Sequence, residues 1–159
     1  MPASVHELPD EDATARLGAA LAARLRAGDV VALTGDLGAG KTALARAIIR
    51  ARTGDPDEEA PSPTFTLVQG YDGGDGVPVA HFDLYRLERP EEALELELED
   101  AVAGGITLIE WPDRLGPLLP RDRLEVVLDV TGPTRRRATL RPHGAWTARH
   151  PEMDWHDDG

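Results

Sequence analysis

The stretch GDLGAGKT, residues 35–42, constrains the fold of this chain more than any other feature. It matches the pattern G-x-x-x-x-G-K-[ST], a loop that joins a strand to a helix and cradles phosphate groups. An apolar run, Val30 to Leu33, predicts a buried strand before the loop. The periodic stretch KTALARAIIRARTG predicts a helix after it that ends at Gly54. The sequence therefore predicts a P-loop in its required strand–loop–helix setting.

Each residue type in this loop has a physical task. Glycine turns tightly and lets the backbone approach a phosphate with no Cβ in the way. Successive backbone N–H groups form an anion nest at the positive end of the following helix. Lysine supplies a compact ammonium group for the phosphates, and threonine supplies a hydroxyl for Mg²⁺. The predicted phosphate-binding residues are Gly35, Gly38, Ala39, Gly40, Lys41, Thr42 and Ala43.

Lys41 is the only lysine among the 17 lysine and arginine residues of the chain. A guanidinium is a planar fork, too wide for a slot shaped around a point charge, so arginine does not replace lysine at such a site. Arginine can replace a lysine on the protein surface, where no such slot has to be filled. The composition therefore supports a phosphate-binding and catalytic role for Lys41 against the alternative of a chance glycine-rich turn.

Two acidic residues each follow an apolar predicted strand: Asp83 follows VPVAHF and Glu110 follows ITLI. Groups at the carboxyl ends of strands face the ligand in α/β sheets. A P-loop site needs a carboxylate there to hold Mg²⁺, directly or through water. Both residues are predicted to be catalytic and, with Thr42, to bind the metal, and the sequence does not decide between them. The alternative for either one is a solvated acid at a strand end.

The remaining pattern predicts an α/β fold. Leu17, Leu21 and Leu25 mark a helix over residues 12–27. Further elements are strands at 64–71 and 77–85 around the turn DGGDG, an acidic helix from 90 to 105, and strands at 106–111, 124–130 and 136–142. They predict a three-layer α/β/α P-loop NTPase domain with a mixed, mainly parallel sheet. We assign residues 1–142 to this domain and expect the aperiodic tail, residues 143–159, to be flexible.

The net charge of −12 argues against direct binding of nucleic acid, which normally uses a basic face. It favours solubility, or a partner with basic patches. The absence of cysteine excludes disulfides and thiolate metal sites and fits a cytoplasmic location. No apolar run reaches the length of about 18 residues that indicates a membrane span, and the first residues lack the features of a signal peptide.

Four motifs, GDLGAGKT, SPTFTLV, HFDLYRL and LIEWP, resemble in order and spacing those of the TsaE family. The segment LPDEDATARLG is similar to the first helix of that family, and the resemblance covers about residues 5–142. It implies a small P-loop ATPase that binds ATP or ADP with Mg²⁺ and hydrolyses ATP slowly by itself. It also implies partners, the proteins TsaD and TsaB, whose complex makes threonylcarbamoyladenosine beside the anticodon of tRNA. The expected contact with tRNA is indirect, through that complex.

The resemblance also implies roles for single residues. It assigns Mg²⁺ to Thr42 and Glu110 and a Walker-B-like position to Asp83. Two switch-like loops are implied, one with Ser62, Pro63, Thr64 and Thr66 and the other with Glu110 and Trp111. Plain turn chemistry is the alternative for the first loop. Thr14 and Arg135 correspond to positions near the adenine, where Arg136 or Arg137 would serve if the alignment shifts. Leu96 stands where the family often has glycine.

Two other functions are compatible with a P-loop. A small-molecule kinase would need an acceptor pocket and an arginine-bearing lid, of which Asp83 and Arg86 could form only a part. A nucleotide-gated adaptor would bind ATP without hydrolysing it. No residue is recognisable as an arginine finger, which favours slow intrinsic turnover. Trp111 is either a core residue or an aromatic that reports the nucleotide state, and Trp146 or Trp155 could dock a partner if the tail is ordered.

Overall fold

Seven strands form one mixed sheet in the computed structural model, which describes residues 3–149. They are β1 (Ser4–Leu8), β2 (Val30–Thr34), β3 (Val68–Tyr71), β4 (Val79–Asp83), β5 (Ile106–Glu110), β6 (Arg123–Val130) and β7 (Arg136–His143), in the order β1-β7-β6-β2-β5-β4-β3. The four central strands β6-β2-β5-β4 are parallel. The outer pairs are antiparallel. The predicted α/β fold is confirmed, and the parallel pairing lies at the centre of the sheet.

Helices cover both faces of this sheet. They are α1 (Glu11–Arg24), α2 (Lys41–Thr53), α3 (Glu92–Glu95), α4 (Leu98–Gly104) and α5 (Trp146–Arg149), with a 3₁₀ helix at Pro112–Leu118. Buried residues of α1, α2 and α5 share one hydrophobic cluster with one face of the sheet. Buried residues of α3, α4 and the 3₁₀ helix share a second cluster with the other face. None of the helices in the described residues is long and apolar enough to cross a membrane.

Local chemistry accounts for the ends of the two long helices. The Asp10 side chain accepts a hydrogen bond from the Ala13 backbone N–H at 2.9 Å and so caps α1. Gly40 precedes α2 with a φ of 104°, and Gly54 ends it with a φ of 76°. Both conformations are left-handed and strain any residue with a Cβ, which is why glycine brackets this helix.

Two departures from the predicted elements concern strands. β1 was not predicted, because a five-residue alternation beside Pro9 has little signal of its own; its antiparallel pairing with β7 makes it a strand. β3 begins only at Val68, whereas the prediction began at residue 64. Leu67 has a φ of 70°, a left-handed conformation that interrupts an extended chain. The hairpin of β3 and β4 itself is confirmed.

The predicted acidic helix is interrupted. α3 and α4 are separated at Glu97, which has a φ of 59°. Leu96 and Leu98 are two residues apart, a spacing that points them to opposite sides of a continuous helix. Because the chain turns at Glu97, both leucines pack against the same hydrophobic cluster. Tertiary packing therefore overrides the helical propensity of this segment.

The chain does not leave the domain at residue 142. β7 extends to His143, and α5 folds back so that the Trp146 ring is buried with an exposed fraction of 2%. The Arg149 guanidinium lies 3.9 Å from the centre of that ring and forms a 2.5 Å ion pair with Asp29. Residues 143–149 thus differ from the flexible tail that we expected, and Trp146 is a core residue. Residues 150–159, including Trp155, lie outside the described part of the chain.

Replacing Trp146 by alanine is expected to lower the free energy of unfolding by about 3–5 kcal/mol, the usual cost of removing a large buried aromatic. Denaturant unfolding followed by circular dichroism measures this change. Leu94→Ala is the control, because Leu94 is 50% exposed and its truncation is expected to change stability by less than about 0.5 kcal/mol. Equal stabilities of the two variants would show that α5 adds nothing to the core.

Candidate functional site

The P-loop connects the end of β2 to the start of α2, as the motif predicts. Its first glycine is required by packing, because a Cβ on Gly35 would lie 2.6 Å from the backbone carbonyl oxygen of Leu128 in β6. Its tip, residues 36–38, is exposed, whereas Ala39 is buried against the core. Gly40 turns the chain into α2 and its carbonyl accepts the Leu44 N–H at 2.9 Å. The loop therefore sits at the carboxyl end of the parallel strands, held by close backbone contacts.

The Lys41 side chain is enclosed, with an exposed fraction of 4%. Its Nζ donates to the carbonyl oxygens of Gly35 and, at 3.0 Å, of Asp36. The same atom lies 4.1 Å from the centre of the Trp111 ring, a cation–π distance. Burial lowers the pKa of Lys41, and the nearby carboxylates of Glu110 and Asp83 oppose that shift. A phosphate would supply the negative charge that this buried ammonium group favours.

Glu110 ends β5 and is almost fully buried. The Thr42 hydroxyl lies 3.0 Å from both carboxylate oxygens, and the Nε2 atom of His81 lies 2.7 Å from Oε2. The carboxylate therefore contacts the threonine that follows the P-loop lysine, although 68 residues separate the two in sequence. The structure brings together two of the three predicted metal ligands.

Asp83, the third predicted ligand, is the direct register partner of Glu110 on the neighbouring strand. Its Oδ2 accepts hydrogen bonds from Ser62 at 2.5 Å and from Thr64 at 3.1 Å. Its Oδ1 accepts the backbone N–H of Tyr85 at 3.1 Å. Asp83 thus ties the loop that contains SPTFT to the end of β4.

The remaining predicted switch residues of that loop are Pro63 and Thr66. Pro63 is buried, and its carbonyl accepts the Leu67 N–H at 2.6 Å, which closes a turn over residues 63–67. Thr66 is exposed and lines a neighbouring groove together with Phe65. Of the predicted switch residues in this loop, Ser62 and Thr64 therefore reach the site and Thr66 does not.

Trp111, predicted to belong to the second switch-like loop, lines the same cavity as Ser62 and Thr64. It is half-buried, has a φ of 58°, and its ring centre is 4.9 Å from that of Tyr85. Its ring covers the Lys41 ammonium group, so a ligand that moves this lysine would also contact the tryptophan. Trp111 therefore lines the cavity and also packs against the second hydrophobic cluster.

These groups surround one cavity of 410 Å³. Its lining combines the P-loop, the SPTFT loop, the ends of two strands and two aromatic rings: Leu37, Gly38, Gly40, Lys41, Thr42, Ala43, Ser62, Thr64, Asp83, Tyr85, Glu110 and Trp111. A lysine, two carboxylates and the hydroxyl groups of two threonines, a serine and a tyrosine thus converge on a space large enough for the polar part of a nucleotide. The arrangement suits a phosphorylated ligand with a hard cation.

The residues predicted for the adenine are placed differently. Thr14 lines an adjoining cavity of 460 Å³ together with Gly40, Ala43 and Arg136. Arg135 is exposed, and its aliphatic stem packs over Gly132. The guanidinium beside the P-loop belongs to Arg136, whose Nη2 donates to the Gly38 carbonyl at 3.3 Å. Of the arginines that the sequence left open, Arg136 contacts the P-loop and lines the same cavity as Thr14.

The oxygen-rich donor set fits Mg²⁺. Within residues 3–149, no three acidic, histidine or cysteine side chains are arranged to hold a metal by themselves. Magnesium seldom needs such a cage, because it is usually bound by one or two carboxylates, water and the phosphates of a substrate. The Thr42 hydroxyl and the Glu110 and Asp83 carboxylates could supply the protein's share.

Sequence reasoning missed His81 and Tyr85. His81 stands two residues before Asp83 on the same strand, and therefore on the same face of the sheet, which is the signal that could have found it. Tyr85 stands two residues after Asp83, but the strand ends between them. Its place in the cavity depends on the turn that follows and has no sequence signal that we recognise.

Comparison with known proteins agrees with this geometry. The family described as threonylcarbamoyl adenosine biosynthesis protein TsaE matches residues 8–138, a range that contains the P-loop and all three predicted metal ligands. The tRNA threonylcarbamoyladenosine biosynthesis protein TsaE of Rickettsia conorii is 40% identical over 136 residues, 86% of this chain and 77% of that protein. The protein of the same name from Bacillus subtilis is 38% identical over 134 residues, 83% of this chain and 80% of that protein.

A solved structure gives the same result for the fold. Bacillus subtilis YdiB superposes with a TM-score of 0.77 at 28% identity and covers 96% of this chain and 91% of its own. The agreement thus extends from the motifs to the arrangement of the whole sheet. The chain belongs to the TsaE family of threonylcarbamoyladenosine biosynthesis proteins.

Proposed function

We propose that this protein is a cytoplasmic, Mg²⁺-dependent ATPase that supports turnover of the TsaD–TsaB complex in the biosynthesis of threonylcarbamoyladenosine in tRNA. One observation carries the proposal. Lys41 and Thr42 of the P-loop line the same cavity as Glu110, and the Thr42 hydroxyl lies within hydrogen-bond distance of both oxygens of the Glu110 carboxylate. Family membership supplies the pathway, since relatives bear the name of tRNA threonylcarbamoyladenosine biosynthesis proteins.

Phosphate binding would use groups that now contact the loop itself. The Lys41 ammonium donates to the Gly35 and Asp36 carbonyls and would exchange part of this contact for phosphate oxygens. The amides at the start of α2 and the positive end of that helix would add to the binding. Because the lysine is already enclosed, little side-chain entropy remains to be lost when the phosphate binds.

Thr42 and Glu110 would hold Mg²⁺, and the hydrogen bond between them supports this pairing. When bound, Mg²⁺ would neutralise charge that develops on the phosphate oxygens. Asp83, whose carboxylate binds Ser62 and Thr64, would orient the loop near the terminal phosphate. This division of roles favours Glu110 as the direct ligand of the two carboxylates.

Hydrolysis by the protein alone should be slow. None of the residues lining the 410 Å³ cavity, in the part of the chain that is described, is an arginine. P-loop NTPases gain about 10³–10⁵-fold in rate from an arginine placed at the transferred phosphate. A partner could supply such a group or order the loops, and the exposed apolar side chains of Leu37, Phe65 and Tyr85 beside the cavity support a protein partner there.

The test is ATP hydrolysis measured with and without a TsaD–TsaB pair and tRNA. The protein alone is expected to turn over well below about 10 s⁻¹, a typical enzyme rate. Addition of TsaD and TsaB is expected to raise the rate of ATP hydrolysis at least about tenfold. This increase is small compared with the roughly 10³–10⁵-fold increase that an arginine at the transferred phosphate can provide. The net charge of −12 predicts that tRNA without these proteins has no effect.

Three results would contradict the proposal. Rapid hydrolysis by the isolated protein would remove the need for a partner. Repeated rounds of tRNA modification sustained by a non-hydrolysable ATP analogue would make the protein a nucleotide-gated adaptor. Transfer of the phosphoryl group to a metabolite in a substrate screen would make it a kinase.

A further inference from the structure

His81 is a buried polar residue that the proposed function leaves unexplained. It lies in the middle of β4 and has an exposed fraction of 0%. Its Nε2 atom is 2.7 Å from Oε2 of Glu110, whereas Nδ1 has no hydrogen-bond partner among residues 3–149. The contact with Glu110 is therefore the single hydrogen bond of the His81 imidazole among these residues.

The sheet places His81 behind the cavity. Side chains alternate along β4, so His81 shares a face with Asp83, the face that α2 covers. In the parallel register His81 pairs with Leu108, two residues before Glu110. The histidine is not among the residues that line the cavity, and it contacts one of them, Glu110.

The direction of this hydrogen bond depends on the histidine tautomer. A carboxylate that is ionised only accepts, so a hydrogen bond to it requires the His81 tautomer that carries its proton on Nε2. The Thr42 hydroxyl carries one hydrogen and lies at equal distances of 3.0 Å from the two oxygens of Glu110. Thr42 alone therefore does not distinguish the two oxygens. The shorter bond from His81 selects Oε2 and fixes the rotation of the carboxylate.

We propose that His81 is a positioning residue for Mg²⁺ binding: its Nε2–H orients the Glu110 carboxylate, which in turn holds the Thr42 hydroxyl with its lone pairs toward the cavity. The inference rests on the proposed function, since it assigns Mg²⁺ to Thr42 and Glu110. Groups that hydrogen-bond a metal ligand commonly change metal affinity or activity about 10–100-fold when they are removed. A histidine that merely fills the core would not affect the metal in this selective way.

Two amide substitutions separate these roles. The amide nitrogen of glutamine can reach the position of the histidine Nε2, whereas that of asparagine corresponds to Nδ1. His81→Gln should therefore keep the hydrogen bond to Glu110, and His81→Asn should lose it. His143→Asn is the matched control, because His143 forms a 3.0 Å contact with Glu125 at the opposite end of the sheet from the P-loop.

The experiment measures equilibrium binding of the fluorescent nucleotide mant-ADP to the full chain, in EDTA and across a Mg²⁺ titration. His81→Asn is expected to raise the half-saturating Mg²⁺ concentration about 10–100-fold, the range for such partners of metal ligands, and to leave the affinity in EDTA unchanged. His81→Gln should recover most of the Mg²⁺ response, and His143→Asn should match the wild type.

The outcomes are distinct. A normal Mg²⁺ response in His81→Asn, or an equal loss in the asparagine and glutamine variants, overturns the positioning role. A wild-type protein that binds no mant-ADP, or whose binding ignores Mg²⁺, overturns the proposed function and this inference with it. If His81→Asn does not fold, ¹H–¹⁵N NMR of wild-type imidazoles decides: a proton on His81 Nε2 supports the inference, and a tautomer protonated only at Nδ1 overturns it.

Discussion

Lys41→Ala is expected to abolish tight ATP binding. A hydrogen bond to a charged group contributes about 1.5–3 kcal/mol, and about 1.4 kcal/mol changes a dissociation constant tenfold. An ammonium group that reaches more than one phosphate oxygen should therefore account for at least about 100-fold in affinity. No other cation lines the cavity among the described residues, so none stands ready to compensate. Isothermal titration calorimetry with Mg²⁺-ATP measures the loss.

Lys41→Arg tests whether the charge alone is sufficient. The side chain is enclosed between the Gly35 carbonyl and the Trp111 ring, and this space is shaped for an ammonium group. A planar guanidinium should not fit, so the arginine variant is also expected to bind weakly. Arg123→Ala is the control, since Arg123 binds the Pro120 carbonyl at the start of β6, away from the loop. Near-normal ATP affinity in Lys41→Ala would contradict a phosphate role for this lysine.

Glu110→Ala is expected to lower Mg²⁺-dependent hydrolysis at least about 100-fold, because losing a direct metal ligand should cost at least as much as losing a hydrogen-bonded partner of one, which costs about 10–100-fold. The substitution removes the carboxylate from the site and leaves the Thr42 hydroxyl and His81 Nε2 without their acceptor. Nucleotide affinity in EDTA should change little, because the P-loop is intact. Steady-state ATPase assays over a Mg²⁺ titration, with TsaD and TsaB present, measure the effect.

Asp83→Ala provides the contrast. Its carboxylate is already bound by Ser62, Thr64 and the Tyr85 amide, so its loss is expected to disorder a loop and reduce hydrolysis by about tenfold. Glu125→Gln controls for removal of a carboxylate, because Glu125 contacts His143 far from the cavity. If Glu110→Ala kept its activity while Asp83→Ala lost it, the metal role would belong to Asp83.

Much of the fold was predictable because its signals are local. β2, the P-loop and α2 form one continuous segment in which apolar periodicity, a full motif and terminal glycines all predict the same elements. The parts that were not predicted depend on partners distant in sequence. β1 becomes a strand by pairing with β7, and α5 is held by burial of Trp146 and by the ion pair with Asp29.

In the candidate site, too, the sequence predicted the residues, and only the structure shows their contacts. The sequence identified Asp83 and Glu110 as acids at strand ends, but it did not distinguish their roles. The structure gives them different partners: Asp83 binds the SPTFT loop, and Glu110 binds Thr42 and His81. The choice between neighbouring arginines was likewise left open, and the geometry places Arg136 at the loop.

By itself the sequence determined the P-loop, the need for one lysine and the family, because these depend on residue types at fixed spacings within short segments. Only the tertiary structure decided which side chains contact Glu110. Thr42, His81 and Glu110 belong to α2, β4 and β5. Their hydrogen bonds exist because the parallel pairing of β4 with β5 and the packing of α2 on the sheet bring the three residues together. Sequence distance carries no information about such contacts, since sheet pairing and helix packing create them.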